Sequence, residues 1–326
     1  MSEKNIRVAV AGVGQFGQNH VRVWKALEGA QLVGIFDVNA GRARQIAAEF
    51  GTQAFPDLDA LIAARVDAVS VAVPTKQHAS VGCRLLDAGI DVLIEKPMAA
   101  SLEEAGMLIA AAQRNSRILQ VGHVERFNPA VAAAQQIISR PMFFEVHRLG
   151  IFTPRSLDID VVYDVMIHDL DILLSLVRSP VADLRCVGIP VITDKVDIAH
   201  ARIEFETGAV ANVTASRVST ERVRKMRFFQ EHEYISLDFA RQDALRIRVD
   251  PASPQGVGFE KLPAQPEEPL KAELRAFADS VRNRKPSVVD GDAGRRALAL
   301  ADRVMASILE HARRVQPEAF TPQASR

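Results

Sequence analysis

The feature that most narrows the choice of fold is Gly12-Val13-Gly14-Gln15-Phe16-Gly17. It lies between a short apolar run, Ile6 to Ala11, and a stretch with helical spacing at Val21, Trp24 and Leu27. Glycines spaced this way arise by chance in many chains, but between a strand and a helix they have a physical use. The first permits a tight turn, the second lets backbone amides approach a pyrophosphate, and the third lets the helix pack closely on the strand. The helix start then offers N–H groups and the positive end of its dipole to phosphates. Asp37 follows the second apolar run, Gln31 to Phe36. A carboxylate there takes hydrogen bonds from the adenosine ribose hydroxyls and repels a 2′-phosphate. NAD is therefore expected rather than NADP, although Arg42 and Arg44 are nearby cations that would suit NADP.

The same alternation continues. Helical stretches run from Ala40 to Phe50 and from Pro56-Asp57 to Ala64, followed by a strand from Ala68 to Val73. A helix from Gln77 to Ala88, a strand from Asp91 to Ile94, a capping box at Ser101-Leu-Glu-Glu104 and a strand from Ile118 to Val121 complete the series. Short strands that are apolar on both faces, alternating with amphipathic helices, predict a doubly wound parallel sheet: an α/β dinucleotide-binding domain over 1–122.

Beyond residue 122 the pattern changes. A helix from Asn128 to Ser139 precedes a strand from Met142 to Leu149 and a long helical pattern from Ile159 to Val177. Five runs then read as strands joined by short turns: Ile198 to Glu206, Ala209 to Ser219, Lys225 to Gln230, Tyr234 to Phe239 and Leu245 to Val249. Pro251 to Pro269 reads as an extended surface segment, and two amphipathic helices, Leu270 to Arg284 and about Ala293 to Arg314, end the chain. Consecutive strands with short turns predict an α+β domain over 123–326 with a large open, mainly antiparallel sheet.

Composition restricts the partners. Lysine plus arginine and aspartate plus glutamate each number 40 in 326 residues, and the balance holds on both sides of residue 122. No broad basic field exists for nucleic acid. Aromatic residues make up only 6%, which disfavours a stacking platform for bases. No run approaches the length of a membrane span, and the start lacks the pattern of a signal peptide. With two cysteines, Cys83 and Cys186, a reduced cytoplasmic chain is expected.

The candidate chemistry lies at strand ends, where open α/β sheets bind ligands. Val73-Pro74-Thr75-Lys-Gln-His78 follows one strand and Glu95-Lys96-Pro97 the next. Farther on, Asp164 and His168 stand four apart on a predicted helix, so they share a face and a carboxylate can orient the imidazole. Oxidation of an alcohol needs a base for the hydroxyl proton while hydride leaves the same carbon. His168 suits that role, and Lys96 either polarises the oxygen or serves as the base itself.

Taken together, Gly12 to Gly17, Val73-Pro74-Thr75 with His78, Glu95-Lys96-Pro97, Asp164 with His168, and the closing Glu273-Leu-Arg-Ala-Phe277, Asn283-Arg284 and Asp292-Ala-Gly294-Arg295 resemble the Gfo/Idh/MocA oxidoreductases. The resemblance spans nearly the whole chain. It implies a Rossmann domain, an open-sheet second domain whose face serves dimer or tetramer contacts, and an NAD(P)-dependent sugar or polyol oxidoreductase. It puts Lys96, Asp164 and His168 on the family's catalytic positions. Val73, Pro74, Thr75, His78, Glu95 and Lys96 join Gly12, Gly14, Gln15, Phe16, Gly17 and Asp37 as expected cofactor contacts. Met166 stands where the family commonly has glycine, a change expected to alter pocket shape.

Gly122-His123-Val-Glu-Arg126-Phe-Asn128-Pro129, with the segment from Asp164 to Asp171, is similar to a branch acting on nucleotide sugars. That implies oxidation of a UDP-sugar, with the C3 hydroxyl of UDP-N-acetylglucosamine as the expected target. The ketone formed would pass to a pyridoxal-phosphate aminotransferase in lipid A synthesis. Lys96, His123, Arg126, Asn128, Arg155, Asp164 and His168 are the expected substrate contacts, since a diphosphate needs placed cations and donors. A free-sugar or inositol-type dehydrogenase is the alternative within enzymes, and a non-catalytic NAD-binding regulator the alternative outside them.

Two other readings carry less weight. Asp158, Asp160, Asp164, His168, Asp169 and Asp171 crowd hard oxygen ligands beside an imidazole, but a metal site needs further histidines at supporting positions and the Rossmann context points elsewhere, so no metal is expected. Arg217, Arg222, Arg224, Lys225 and Arg227 read as one solvated or subunit-facing sheet edge.

Overall fold

A computed structural model describes residues 5–154 and 157–315. The chain forms two compact units, Met1–Phe127 with Glu267–Arg296, and Asn128–Pro266 with Ala297–Arg326. The boundary thus falls at 127/128 rather than 122/123. The segment from Glu267 to Arg296 returns to the first unit, whereas the sequence pattern places all of it in the second.

The first unit is built on β1 (Ile6–Ala11), β2 (Ala30–Phe36), β3 (Gln53–Phe55), β4 (Ala68–Val71), β5 (Asp91–Glu95) and β6 (Leu119–Gly122). They form one parallel sheet in the order β3-β2-β1-β4-β5-β6. The order reverses between β1 and β4, and the loops after those strands flank the switch point. The helices between strands are α1 (Gln15–Ala26), α2 (Ala40–Phe50), α3 (Leu58–Ala63), α4 (His78–Asp87) and α5 (Leu102–Arg114). Asn39, Asp57 and Ser101 cap α2, α3 and α5 through side-chain oxygens, satisfying N–H groups that lack helical partners. The three-residue β3 carries too few side chains to show a period, and the sequence pattern misses it.

One further helix joins this unit from far along the chain. Helix α8 (Pro269–Asn283) buries Leu274, Phe277, Ala278 and Val281 in the core that holds Val8, Val10, Val21 and Trp24. Phe277 meets Trp24 edge to face, with ring centroids 6.4 Å apart, and the Trp24 indole N–H donates to Ser70 Oγ at 2.8 Å.

The second unit holds β7 (Phe143–Leu149), β8 (Val181–Ile189), β9 (Ile198–Phe205), β10 (Val210–Ser216), β11 (Val223–Gln230), β12 (Glu233–Asp238), β13 (Asp243–Val249) and β14 (Val257–Lys261). Their order is β14-β13-β12-β11-β7-β10-β9-β8, antiparallel except for β7 with β10. Helices α6 (Pro129–Ile137), α7 (Ile167–Val177) and the later part of α9 (Gly291–Val315) share one core with the inward face of this sheet. Both β8 and β14 escape the sequence pattern. Strand β8 is half-exposed through most of its length, and β14 lies inside the proline-rich segment read as extended.

The outward face carries a row in register: Val210, Phe143, Phe229, Tyr234, Ile247 and Phe259 face one another across six strands. Phe229 stacks on Phe143 at 5.7 Å and meets Tyr234 at 5.2 Å, and Phe259 is 64% exposed. Among the described residues no helix is long and apolar enough to cross a membrane.

Candidate active site and cofactor loop

In the first unit the glycine loop has the form a dinucleotide requires. Gly12 has φ of +88°, and a Cβ there would lie 2.6 Å from the Ala72 carbonyl carbon. A Cβ on Gly17 would sit 1.9 Å from the Gly12 carbonyl oxygen. Nothing lies within 4 Å of the place a Gly14 Cβ would take, and Gly14, Gln15 and Phe16 form an exposed lip. Gly14 caps α1 and, having no side chain, supplies no acceptor of its own to the helix start. Two positions exclude a side chain and the middle one faces open space, an arrangement suited to a pyrophosphate. These residues fit a nicotinamide dinucleotide.

Asp37 lies at the rim of this loop. Its Oδ2 accepts from the Val13 amide and its Oδ1 from the Asn39 amide, both at 2.8 Å. These bonds aim the carboxylate across the loop. Arg42 reaches over from α2, donating from Nε to the Val13 carbonyl at 3.1 Å and from Nη2 to Gln18 at 2.8 Å. It braces the loop.

The loops after β4 and β5 are joined by His78. This residue is buried, with Nε2 2.9 Å from the Val73 carbonyl and Nδ1 3.0 Å from the Pro97 carbonyl. Burial lowers its pKa, against the opposing effect of those two carbonyls. His78 was expected to touch the cofactor; with both ring nitrogens on backbone carbonyls it instead ties Val73 to Pro97. Pro74 is exposed and Thr75 opens a short 3₁₀ turn, while Lys96 is half-buried beyond a cis peptide to Pro97.

Glu95, also expected as a cofactor contact, is engaged by neighbouring protein groups. Its carboxylate turns inward, with Oε1 2.8 Å from His20 Nε2 and Oε2 accepting from the Lys96 amide at 3.3 Å. Burial pushes this carboxyl up, but the His20 hydrogen bond and the charges of His20, Lys96 and His78 outweigh it and hold it below the usual range. Nothing in the sequence names a partner for His20. A signal was present, since it sits three residues after Gly17 and four before Trp24, on the packed stripe of α1.

In the second unit Asp164 and His168 occupy successive turns, as expected, but the helix is not uniformly α. Val162–Met166 is a π-helical turn, and α7 begins at Ile167. Both side chains are half-buried, and His168 lies between the buried Ile167 and Asp169. Met166 is wholly inside the hydrophobic core, so it shapes packing rather than the pocket it was expected to alter.

Three contacts hold this turn. Tyr163 donates to Asp302 at 2.8 Å, and burial with that carboxylate raises the Tyr163 pKa. Asp160 accepts from the Val196 amide at 2.8 Å. Arg148 donates from Nε and Nη2 to the two oxygens of Asp169, at 2.8 and 2.7 Å, with both residues buried.

The residues expected to touch substrate divide. Arg126 is half-buried on a short 3₁₀ turn, and His123 is buried. Asn128 is buried too. Its Oδ1 caps α6 through the Ala130 amide at 3.1 Å, and its Nδ2 donates to the Phe239 carbonyl at 3.0 Å. Asn-Pro is a helix-start signature, and Asn128 serves here as the cap. Arg155 lies outside the described residues.

Arg217 is held by Asp197 and the Ile159 and Val196 carbonyls, and Lys225 and Arg227 face Asp238 and Glu145. The basic stretch is thus internally matched at these positions. Among the described residues no three His, Cys, Asp or Glu side chains are grouped to hold a metal ion.

A six-stranded Rossmann sheet with a glycine loop at its switch point defines a nucleotide-dependent oxidoreductase class. Residues 6–123 match the oxidoreductase family with NAD-binding Rossmann fold, and residues 141–235 match the C-terminal domain of the same family. The chain belongs to the Gfo/Idh/MocA family. It is 41% identical to a UDP-N-acetylglucosamine 3-dehydrogenase from Acidithiobacillus ferrooxidans, over 93% of this chain and 97% of the relative. The solved structure of that enzyme superposes with a TM-score of 0.88. A scyllo-inositol 2-dehydrogenase (NAD(+)) from Bacillus subtilis is 30% identical over 89% and 91% of the two chains. A levoglucosan dehydrogenase solved with NADH and levoglucosan shares the fold at a TM-score of 0.85 and 20% identity, covering 94% of this chain and 98% of that one.

Proposed function

We propose that the protein oxidises the C3 hydroxyl of UDP-N-acetylglucosamine to a ketone with NAD as the oxidant. The observation that carries this reading is the 41% identity, over nearly the full length of both chains, to an enzyme of that activity. The inositol enzyme, at 30%, is more distant. NAD supplies the hydride acceptor when bound. Gly12, Gly14 and Gly17 would hold its pyrophosphate, and Asp37 its ribose. The carboxylate at Asp37 supports NAD over NADP through repulsion of a 2′-phosphate.

In this proposal Lys96 holds the reacting sugar oxygen and His168 takes its proton, with Asp164 one turn earlier to orient the imidazole. A base so placed is worth about 10²- to 10⁴-fold in rate. Arg126 and His123 are the groups retained for the nucleotide. The keto product is chemically an aminotransferase substrate, so the reaction belongs ahead of a transamination towards lipid A. The apolar row on the outer sheet face supports a homodimer or homotetramer packed through that face.

The test is absorbance at the NADH wavelength with UDP-N-acetylglucosamine and NAD, a pyridoxal-phosphate aminotransferase present to remove product. K96A and H168A should each lose most of the activity. Turnover of inositol with none on any UDP-sugar would overturn the assignment, and activity untouched in both variants would return the chain to the regulator reading.

A further inference from the structure

Close to Glu95 lies a second carboxyl that the reaction just proposed does not use. Glu273, on α8, is fully buried, and among the described residues neither of its carboxyl oxygens has a hydrogen-bond partner. Its backbone carbonyl accepts from Gln120 Nε2 at 3.4 Å, which fixes this turn of α8 against β6. Gln120 Oε1 and His20 Nδ1 are buried without partners as well. Glu95 sits beside β6 opposite Gly122, where a Cβ would come within 3.0 Å of Glu95 Oε1.

Strand β5 places the charge of Glu95 close to Glu273. Helix α1, packed against α8, carries His20, and Lys96 follows Glu95 in the chain. The 3₁₀ turn Val124–Phe127, packed against α8, carries Glu125 and Arg126, neither of which hydrogen-bonds the Glu273 carboxyl. His20 is committed to Glu95. An ionised Glu273 would therefore be a buried anion, without hydrogen bonds, close to another anion. Desolvation and like-charge repulsion both oppose that state. A protonated carboxyl is a donor, and Gln120 Oε1, a buried acceptor in this region, lacks one.

We propose that Glu273 is a positioning residue of the Lys96 loop: a carboxylic acid that stays protonated at neutral pH and leaves Glu95 as the single anion joining His20 to the Lys96 amide. Burial first, and then the charge of Glu95, raise its pKa well above the carboxylate range, in keeping with this assignment. The role given to Lys96 rests on the function proposed above. The protonation of Glu273 does not.

Thermal unfolding of the unliganded protein against pH tests it. The folded state keeps a proton that unfolded glutamate releases above about pH 4.3. Wild-type stability must then fall as pH rises beyond that point, until Glu273 itself ionises. E273Q lacks this slope, so its Tm should exceed wild type by about 2 °C or more at pH 8, a gain that vanishes near pH 4. In E95Q the wild-type slope should shrink, because one source of the raised affinity is gone. A Tm for E273Q that is lower at pH 8, or offset equally at every pH, would overturn the proposal. If E273Q does not fold, E273M repeats the comparison with an apolar side chain of similar length. Turnover adds a second readout: E273A should lower kcat about tenfold with little change in KM, and E273Q should restore most of it. If no UDP-sugar is turned over, the substrate reading fails while the pH comparison still decides the state of Glu273.

Discussion

His20 Nε2 and Glu95 Oε1 are 2.8 Å apart, linking the first helix to the end of β5 with both side chains out of bulk water. Through this pair the helix that follows the glycine loop is joined to the strand that leads into Lys96. Removing His20 leaves a buried carboxylate without its main partner, at a cost of about 3–5 kcal/mol. H20A should therefore show a markedly lower Tm and slower NADH formation than wild type. H20N should retain part of both, since its amide still donates.

The glycine loop separates a folding role from a binding role. In G17A the new methyl meets the Gly12 carbonyl, so the loop must move and the unfolding midpoint should drop. In G14A the methyl enters open space at a φ of −63°, which any residue adopts. Its Tm should match wild type, while NADH fluorescence titration should show affinity weakened about tenfold, from loss of close amide approach to the pyrophosphate.

Arg148 and Asp169 form a buried two-bonded ion pair next to His168 along α7. R148M strands the Asp169 charge and should destabilise by about 3–5 kcal/mol. R148M/D169L removes both charges and should recover much of that loss in chemical denaturation. A double variant as unstable as the single would refute this account.

Asp197 organises the turn after β8. Its Oδ2 accepts from the Val191, Ile192 and Thr193 amides at 2.8, 2.7 and 2.9 Å, and Thr193 Oγ1 donates to Oδ1 at 2.8 Å. Burial pushes its pKa up, but these donors outweigh it, and the net shift is downward. The resulting stabilisation is complete above the unfolded value of about 3.9 and fades as pH falls through the lower folded value. D197N should be less stable than wild type at neutral pH by about 2–3 kcal/mol, a gap that narrows below pH 4 in Tm measurements.

Local rules alone were enough for the parallel sheet, the glycine loop and the placement of Asp164 and His168 four apart on one helical stretch. Each rests on local rules: apolar period, turn chemistry and spacing of a few residues. Those rules carry no information on residues far apart in the chain. Long-range packing brought α8 into the first unit, through Phe277 on Trp24. It also turned Glu95 and His78 inward, and committed Asn128 to a cap and to Phe239. The half-exposed β8 and the short β3 gave the period too little contrast to register. Glu273 shows the limit most plainly: in sequence it is one more acidic residue on an amphipathic helix. It becomes chemically distinct once long-range packing removes water and brings the Glu95 charge close, because the protonation state of a carboxyl is set by its surroundings.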